Sequence, residues 1–406
     1  MRIGLVIEQL DLHRGGAEMW TARFAEKLAA GGHEVHVVAK RFSSETLALP
    51  IVPHRLEGIR SRLGFAEAAQ MKLLSLAPDA IHDMGAGWFC DVFHPHSGSM
   101  VALAERKLTM LPRWQRALKA WVDPLLPRRR CFQTLLQRQC RDDGRLIVAL
   151  SKRVAADFER IHGVPRDRIR LIYNGVDTDQ FSPRHRNIYR EGIRRRLAIG
   201  NDTLLCLIVA HNFHLKGVPA LLKAVRRLRK AKTPVRLVVV GGKSLAGWKR
   251  TARRLGVGDK VTFVGTVDNP LPYYMAADLY LHPTFYDACS LVVLEALGCG
   301  LPVVTSEMNG AGELMTEAHE GYLLPDPTDI DGLVGRIEMF FDAARRDRMG
   351  KAARRLALRY SLQRNVSEML KVYDEVVRTR VRPAPTLLLG ETRRQAGRKR
   401  CFTEAK

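Results

Sequence analysis

Short runs of apolar residues recur along the whole chain, and longer segments with helical spacing separate them. A run without a polar face is typical of a strand that is buried on both sides in a parallel sheet. In the first half, these runs cover residues 2–7, 35–39, 79–82, 91–93, 146–150 and 169–173. In the second half, they cover residues 204–210, 235–240, 261–264, 279–281, 303–304 and 321–324. The alternation predicts an α/β fold with two doubly wound parallel sheets, whose strand carboxyl ends face a central cleft.

The stretch 279–306 carries the most informative pattern in the chain. Its first strand ends at Pro283, because proline has no N–H group to donate to a sheet. Asp287 is a residue type that suits a helix entry, and a helix is predicted over residues 291–299. Gly300 stops that helix before the next buried strand. The stretch therefore predicts a strand–helix–strand unit with a carboxylate where the helix begins.

Glu295 lies inside this predicted helix, between apolar neighbours in sequence. A carboxylate in such a turn is costly without a partner, and we predict that the hydroxyl groups of a ligand supply it. The helix begins near Leu291 and Val292, where free N–H groups and the positive end of the dipole favour a phosphate. We therefore expect a ligand that carries both hydroxyl and phosphate groups.

Asp287 is followed by seven residues, then by Glu295-Ala296, and then by Gly300-Leu301-Pro302-Val303-Val304. This arrangement resembles the signature of glycosyltransferase family 4, the retaining nucleotide-sugar enzymes with the GT-B fold. The preceding His282-Pro283 and the Ala288-Cys289-Ser290 segment are especially similar to the lipopolysaccharide-core glucosyltransferase branch. The chain departs from the family pattern in having Asp287 where Glu is usual and Ser290 where Gly is usual.

The resemblance implies a donor site in the second half of the chain. Glu295 would hold the ribose hydroxyls, and Asp287 would hold sugar hydroxyls and stabilise an oxocarbenium-like transition state. Lys216 would stabilise the leaving diphosphate together with the helix start at Leu291 and Val292. We expect a UDP-sugar as co-substrate and neither a cofactor nor a metal, because no DxD motif lies in a suitable loop.

The same resemblance implies further contacts with the donor. Relatives carry an Arg early in the loop before Lys216, and His211 or His214 stands in its place here. A partly charged His would bind phosphate less strongly than Arg. Gly265 would contact the nucleobase through its backbone. Gly15-Gly16 resembles the N-terminal glycine loop of the family, whose backbone approaches the donor phosphate and the acceptor.

Family members also have a histidine that faces the reacting sugar, at the end of a strand in the first half. His94-Pro95-His96-Ser97 offers two candidates, and the spacing alone does not choose between them. We favour His96 as the catalytic histidine.

The resemblance covers residues 1–380 and implies a division of the chain. Residues 1–183 would form the acceptor-side Rossmann-like domain, and residues 184–360 the Rossmann-like domain that binds the nucleotide sugar. Residues 361–380 would form a helix that crosses back onto the first domain. Residues 381–406 are basic and poor in large apolar side chains, which predicts a disordered tail.

Charge adds a preference for acidic partners. The chain has 66 Lys and Arg against 42 Asp and Glu, a net charge of +24, which suits phosphorylated substrates, anionic lipid or nucleic acid. Within residues 101–141, basic residues alternate with leucines, Trp114 and Trp121, which is typical of a helix in a membrane interface. A solvated helix pair with an ordinary core stripe fits the same pattern.

The resemblance implies a retaining hexosyltransferase that acts on a hydroxyl of a lipid-linked or lipopolysaccharide-type glycan. Seven cysteines without a CxxC pair and the lack of a membrane-spanning apolar run predict a cytoplasmic protein at the inner membrane face. An anionic membrane surface is an expected partner. The alternative is a basic membrane- or nucleic-acid-binding protein on a catalytically degenerate GT-B scaffold. No nucleic-acid-binding module is visible, so we expect no nucleic-acid partner.

Overall fold

The protein is described by a computed structural model that covers residues 1–12, 15–122 and 127–379. The predicted tail at residues 381–406 lies outside these ranges, and so does residue 380 at the end of the predicted final helix.

The described residues of the first half contain nine short strands, six of them at the apolar runs predicted there. They are β1 (Arg2–Val6), β2 (Gln9–Leu10), β3 (Glu34–Ala39), β4 (Arg41–Phe42), β5 (Val52–Arg55), β6 (Ala80–Asp83), β7 (Val92–Phe93), β8 (Leu146–Ala149) and β9 (Ile169–Leu171). Parallel pairing in the order β5-β3-β1-β6-β7-β8-β9 forms one sheet, while β2 and β4 pair with each other. Pattern alone did not predict β2, β4 and β5, because they are too short or too exposed to form an apolar run.

The second half repeats this architecture. Its strands are β10 (Leu204–Val209), β11 (Val235–Val240), β12 (Val261–Gly265), β13 (Leu279–His282), β14 (Val303–Ser306) and β15 (Gly321–Leu324). They pair in the order β12-β11-β10-β13-β14-β15, and every pair is parallel. The predicted α/β class with two doubly wound sheets is therefore confirmed.

Helices cover both sheets. In the first half they are α1 (Gly16–Ala30), α2 (Ser44–Leu47), α3 (Arg62–Leu76), α4 (Met100–Thr109), α5 (Arg113–Val122), α6 (Pro127–Gln139) and α7 (Lys152–His162). In the second half they are α8 (Arg186–Arg196), α9 (Val218–Lys230), α10 (Ala246–Arg254), α11 (Leu271–Ala276), α12 (Leu291–Gly298), α13 (Ile330–Glu338), α14 (Ala343–Arg359) and α15 (Leu362–Thr379). The segment 329–359 is divided between α13 and α14 because Asp342 accepts hydrogen bonds from Ala344 N and Arg345 N and starts a new helix.

The final helix α15 returns to the first sheet, where it packs on α1, β6 and β7. Its buried residues Met369 and Tyr373 belong to the same apolar core as Leu5 and Phe24. The domain limits given by the sequence, at residues 183 and 360, stay predictions.

The strand order of each sheet defines a crevice at the carboxyl ends of its strands. In the first sheet, β1 lies between β3 and β6, and in the second, β10 lies between β11 and β13. Connections on the two sides of such a strand leave in opposite directions, so the loops after it separate and leave room for a ligand. The loops that lead into α1 and α9 lie at these two places.

Candidate active site

Loops from both sheets meet at the start of α12. A Cβ atom added at Gly16, the first residue of α1, would lie 3.3 Å from Leu291 Cδ1. A Cβ atom added at Gly98, in the loop after β7, would collide with the Tyr286 hydroxyl and lie 3.4 Å from Ala288 Cβ. Two glycines of the first half thus allow its backbone to approach the segment around Asp287.

Asp287 and Lys216 form a close ion pair at this meeting point. Lys216 Nζ donates to Asp287 Oδ2 at 2.5 Å, and His282 Nε2 lies 3.4 Å from the same oxygen. Burial alone would raise the pKa of Asp287, but the Lys216 ammonium and the contact with His282 hold it below its usual range. Asp287 is therefore ionised at neutral pH, next to the ammonium group.

Two glycines shape the backbone around this pair. Gly217 follows Lys216 with a φ of +80°, and a Cβ atom there would collide with the carbonyl group of Pro283. A Cβ atom at Gly310 would collide with the carbonyl group of Ala288 and lie 2.5 Å from Ser151 Cβ of the first half. Larger residues at these positions would push apart the segments that hold Lys216 and Asp287.

Glu295 lies in α12, and only 7% of its surface is exposed. Tyr274 Oη donates a hydrogen bond to Glu295 Oε2 at 2.8 Å. Burial raises the pKa of Glu295 to about 7, although the hydrogen bond from Tyr274 opposes the shift. The prediction that only a ligand would satisfy this carboxylate is therefore wrong for Oε2, because a tyrosine 21 residues away supplies a donor. Among the described residues, no side chain or N–H group donates to Oε1.

The start of α12 presents backbone donors without a side-chain cap. Ser290 precedes the helix, but its hydroxyl accepts no hydrogen bond from a helical N–H group. The N–H group of Ser290 itself donates to Asn309 Oδ1 at 3.2 Å. Leu291 and Val292 follow and are partly exposed. Because the first N–H groups of a helix have no partner within it, this end carries a partial positive charge that suits a phosphate.

The two candidate histidines lie in the loop after β7, and their rings pack against each other and against His82 and Trp20. His94 is fully buried, its Nδ1 is 3.1 Å from His82 Nε2, and His82 Nδ1 is 2.6 Å from the Tyr373 hydroxyl of α15. His96 is partly buried and packs on Trp20, with ring centroids 4.5 Å apart. Burial lowers the pKa of His96 to about 3, so its ring is neutral at physiological pH. The catalytic role given to His96 stays a prediction, supported by its partial exposure.

The remaining predicted positions follow β10 and β12. His211 and His214 are both exposed, and the ring of His214 packs against Trp248 with ring centroids 4.7 Å apart. Gly265 ends β12 with a φ of +94°, and its carbonyl accepts a hydrogen bond from Gly241 N at 2.6 Å. These positions lie at the same edge of the second sheet as the loop that carries Lys216. Their contacts with a nucleotide stay predictions.

Sequence reasoning did not assign roles to several polar residues of the site. His282 contributed to the family resemblance through His282-Pro283 but was given no role in the site, and Tyr274 was not considered. Asn309 Oδ1 accepts hydrogen bonds from both Ser290 N and Ala311 N, which joins the entry of α12 to the loop after β14. The one local signal for Asn309 was its place before a glycine, which is typical of turns.

Glu313 joins the two halves of the chain. Its carboxylate accepts hydrogen bonds from Lys152 N at 2.8 Å, from Arg153 N at 3.0 Å and from Tyr173 Oη at 2.9 Å. Lys152 and Arg153 are the first residues of α7, which Ser151 also caps by accepting a hydrogen bond from Val154 N at 3.2 Å. The side chain of Glu313, on the loop after β14, therefore binds the start of a helix of the first half.

The basic segment 101–141 forms α4, α5 and α6. Trp114 and Leu118 on α5 are 67% and 55% exposed, while the side chain of Trp121 lies outside the described part of the chain. In the described ranges, no helix has both the length and the apolar character needed to cross a membrane. Within the same ranges, no group of three or more His, Cys, Asp or Glu residues could hold a metal ion. Independence of a metal stays a prediction.

Two doubly wound parallel sheets whose carboxyl-end loops face each other are typical of the GT-B fold. The crystal structure of WaaG, a glycosyltransferase involved in lipopolysaccharide biosynthesis, matches with a TM-score of 0.77 and 21% identity over 91% of this chain and 99% of that chain. Anabaena Alr3699/HepE in complex with UDP and glucose matches with a TM-score of 0.71 and 19% identity over 92% and 99% of the respective chains. The predicted GT-B fold is confirmed.

Sequence comparison assigns the family. The model described as Glycosyltransferase Family 4 matches residues 14–180, and the model described as Glycosyl transferases group 1 matches residues 190–356. A D-inositol 3-phosphate glycosyltransferase of Thermomonospora curvata is 28% identical over 400 residues, or 88% of this chain and 90% of that protein. Its counterpart in Xylanimonas cellulosilytica is 31% identical over 249 residues, or 59% and 58% of the two chains. The two models together confirm the predicted glycosyltransferase family, and the predicted enzyme class, a hexosyltransferase, is confirmed.

Proposed function

We propose that this glycosyltransferase moves a hexose from a UDP-sugar, with retention of configuration, to a hydroxyl group of a lipid-linked or lipopolysaccharide-type glycan. The observation that carries the proposal is the ion pair of Lys216 and Asp287 beside the uncapped start of α12. A sugar diphosphate needs positive charge at its phosphates and negative charge near its anomeric carbon, and this cluster offers both.

Lys216 and the N–H groups at Leu291 and Val292 would stabilise the negative charge that develops on the leaving diphosphate. The backbone of Gly15 and Gly16 would approach the same phosphates from the first half. Because these groups are held in place before the donor binds, little reorganisation would accompany the reaction.

Asp287 would act on the other side of the breaking bond. Its carboxylate stays ionised at neutral pH because Lys216 is beside it, so it would stabilise positive charge on the sugar ring and bind sugar hydroxyls. His96, whose ring is neutral, would hydrogen-bond the reacting sugar without adding charge. Same-face attack by the acceptor would retain the anomeric configuration.

Glu295 would bind the ribose of the nucleotide through its hydroxyl groups. Oε1 has no donor among the described residues, and two ribose hydroxyls donating to the carboxylate would favour its ionised form over the protonated one. His211 would lie towards the diphosphate, and Gly265 would contact the base through its backbone.

The acceptor and the location of the protein rest on other observations. WaaG is named for lipopolysaccharide biosynthesis, and the exposed Trp114 and Leu118 lie on a helix that also carries basic residues. We propose that α5 rests on the anionic inner face of the membrane, where the enzyme meets a lipid-linked acceptor.

Hydrolysis of UDP-glucose without acceptor, in the presence of EDTA, tests the donor reaction. We expect slow release of UDP by the wild-type enzyme and a loss of about 10² to 10³ in kcat/KM for Lys216→Ala. The matched control is Lys223→Ala, an exposed lysine on α9. Activity that EDTA removes and Mn²⁺ restores would contradict the metal-free mechanism. A wild-type protein that neither binds nor turns over any UDP-sugar would favour the degenerate scaffold.

A further inference from the structure

A cavity of about 590 Å³ lies away from the cleft, at the opposite edge of the second sheet. Asp278, just before β13, and Leu301-Pro302, just before β14, form part of its wall. The site described above lies at the carboxyl ends of these strands, whereas the cavity lies at their amino ends. Helix α14 and the start of α8 complete the wall.

The lining of this cavity is strongly basic. Its acidic residues are Asp278 and Asp347, and its basic residues are Arg186, Arg190, Arg346, Lys351, Arg354 and Arg355. Asp278 is bound by Arg190 at 2.6 Å and by Arg194 at 3.0 Å, and Asp347 is bound by Lys351 at 2.7 Å. Both acids are therefore already paired, Asp278 with Arg190 and Arg194 and Asp347 with Lys351, and the other basic residues of the lining exceed them in charge.

Guanidinium groups without a carboxylate partner remain on the wall. Arg354 donates to the carbonyl groups of Phe181, Gly298 and Thr178 at 2.8 to 3.0 Å. Arg346 donates to the carbonyl groups of Phe340 and Phe341, and Arg355 has no hydrogen bond or ion pair within the described residues. Carbonyl groups hold a guanidinium in place but leave its charge uncompensated.

Arg186 lies among several of these positively charged groups, and its contacts and pKa reflect them. It reaches Asp278 only at 3.7 Å and donates one hydrogen bond, to the carbonyl of Ala277. Burial lowers the pKa of Arg186, and the nearby Arg190, Arg194 and Arg346 lower it further, against the effect of Asp278. An ordinary solvated face of a helix would disperse such side chains, whereas here they converge on one concave surface.

We propose that this cavity is a binding site for a small anion with one or more phosphate groups, distinct from the donor site. Guanidinium groups around one concavity, of which those of Arg354 and Arg346 are held by carbonyl groups, match the geometry and charge of phosphate oxygens. The source is either a free phosphorylated metabolite or the headgroup of an anionic lipid, since both present the same chemistry.

The cavity also touches the segment that connects the two halves of the chain. Arg354 binds carbonyl groups of that segment, at Thr178 and Phe181, and of the last turn of α12, at Gly298. A Cβ atom at Gly350 would collide with the carbonyl of Gly300, so α14 packs closely on the turn after α12. A bound anion would therefore stabilise the connection from the first half to the helix that holds Glu295.

Pyrophosphate binding to the full-length Lys216→Ala protein tests the proposal, because the donor site is weakened in this background. We expect calorimetry to detect pyrophosphate binding, and we expect Arg355→Glu to weaken it by a factor of about ten or more. The reason is that one charge-assisted contact becomes a repulsion. The factor is about the size expected for the loss of a hydrogen bond to a charged group. Arg355 makes no hydrogen bond in the described chain, so its replacement leaves the native contacts intact. Arg348→Glu, an exposed position on the same helix outside the cavity, is the matched control.

Equal pyrophosphate affinity in the Arg355→Glu and Arg348→Glu proteins would overturn the proposal, as would the absence of any binding in the Lys216→Ala background. Vesicles of phosphatidylglycerol distinguish the two sources. If a headgroup occupies the cavity, Arg355→Glu lowers vesicle binding more than Arg348→Glu does; if a free phosphate compound does, both variants bind vesicles equally. UDP-glucose binding, measured in the Arg355→Glu protein with Lys216 intact, tests the donor site separately.

Discussion

The two acidic residues of the active site have opposite pKa shifts because their partners differ. Asp287 lies 2.5 Å from the Lys216 ammonium, and its pKa is held below the usual range despite burial. Glu295 has the neutral hydroxyl of Tyr274 as its partner, and burial raises its pKa to about 7. At the scale of single residues, a charged neighbour decides whether a buried carboxyl group is ionised in the ligand-free enzyme.

Replacing Glu295 with Gln removes a group whose pKa rises on folding from 4.5 to about 7. A raised pKa means that the stability contributed by this group is complete below pH 4.5 and is lost as the pH rises through about 7. The ligand-free variant should therefore be more stable than wild type at pH 8, by up to about 3 kcal/mol, and by much less at pH 5. Urea unfolding at the two pH values measures the difference.

The same variant should lose affinity for the UDP-sugar, because an amide replaces the acceptor of the ribose hydroxyls. Calorimetric titration with UDP measures the affinity, with Glu338→Gln at an exposed position as control. Wild-type affinity in Glu295→Gln would refute the ribose contact, whereas the pH-dependent stability tests the burial of the carboxyl group independently.

Among the elements, α15 has a direct connection to the histidines behind the cleft. Within the described residues, the Tyr373 hydroxyl has one hydrogen-bond partner, His82 Nδ1, at 2.6 Å. His82 Nε2 in turn lies 3.1 Å from His94 Nδ1. Because a neutral imidazole carries its proton on one nitrogen and accepts at the other, the hydroxyl of the last described helix is coupled to the tautomer of a histidine close to His96.

Tyr373→Phe should release this constraint. It leaves His82 Nδ1 buried without a hydrogen-bond partner, which should lower the free energy of unfolding by about 1 to 3 kcal/mol. Nitrogen chemical shifts of the His94 ring, measured by NMR, should then show a changed tautomer ratio. Tyr360→Phe is the control, because that hydroxyl makes no hydrogen bond in the described chain. An unchanged His94 tautomer would refute the coupling from Tyr373 through His82 to His94, even if the free energy of unfolding fell.

The exposed apolar side chains of α5 can be tested as an element. If α5 rests on a membrane, replacing Trp114 and Leu118 with Ser should abolish binding to anionic vesicles, since the apolar area that enters the interface is lost. Turnover with a water-soluble acceptor fragment should be unchanged. Ile188→Ser, which removes an equally exposed apolar side chain from α8, is the control. Vesicle binding by the double variant as strong as that of wild type would contradict the proposal.

Across the whole molecule, the carboxylate of Glu313 holds the halves together by accepting hydrogen bonds at the start of α7. Glu313→Ala should leave those N–H groups without this partner, and the contact between the two halves should lose about 1 to 2 kcal/mol. Small-angle scattering should show a larger radius of gyration, and kcat/KM should fall because the loops of the two halves separate. An unchanged radius together with unchanged kcat/KM would show that other contacts suffice.

The apolar runs predicted the central strands of both sheets, because burial on two faces leaves a local mark in the sequence. The family signature likewise led from Asp287 and Glu295 to the GT-B class. Short or exposed strands such as Val52–Arg55 carry no such mark, and they depend on the neighbouring strand for their conformation.

Contacts between distant side chains were decided by the tertiary structure alone. Lys216 meets Asp287 across 71 residues, Tyr274 meets Glu295 across 21, and His82 meets Tyr373 across 291. No local pattern encodes these pairs, because each depends on how helices and loops pack once the sheets have formed. The sequence by itself determined which residue types stand at the strand ends, and packing determined their partners, their pKa values and thereby their chemistry.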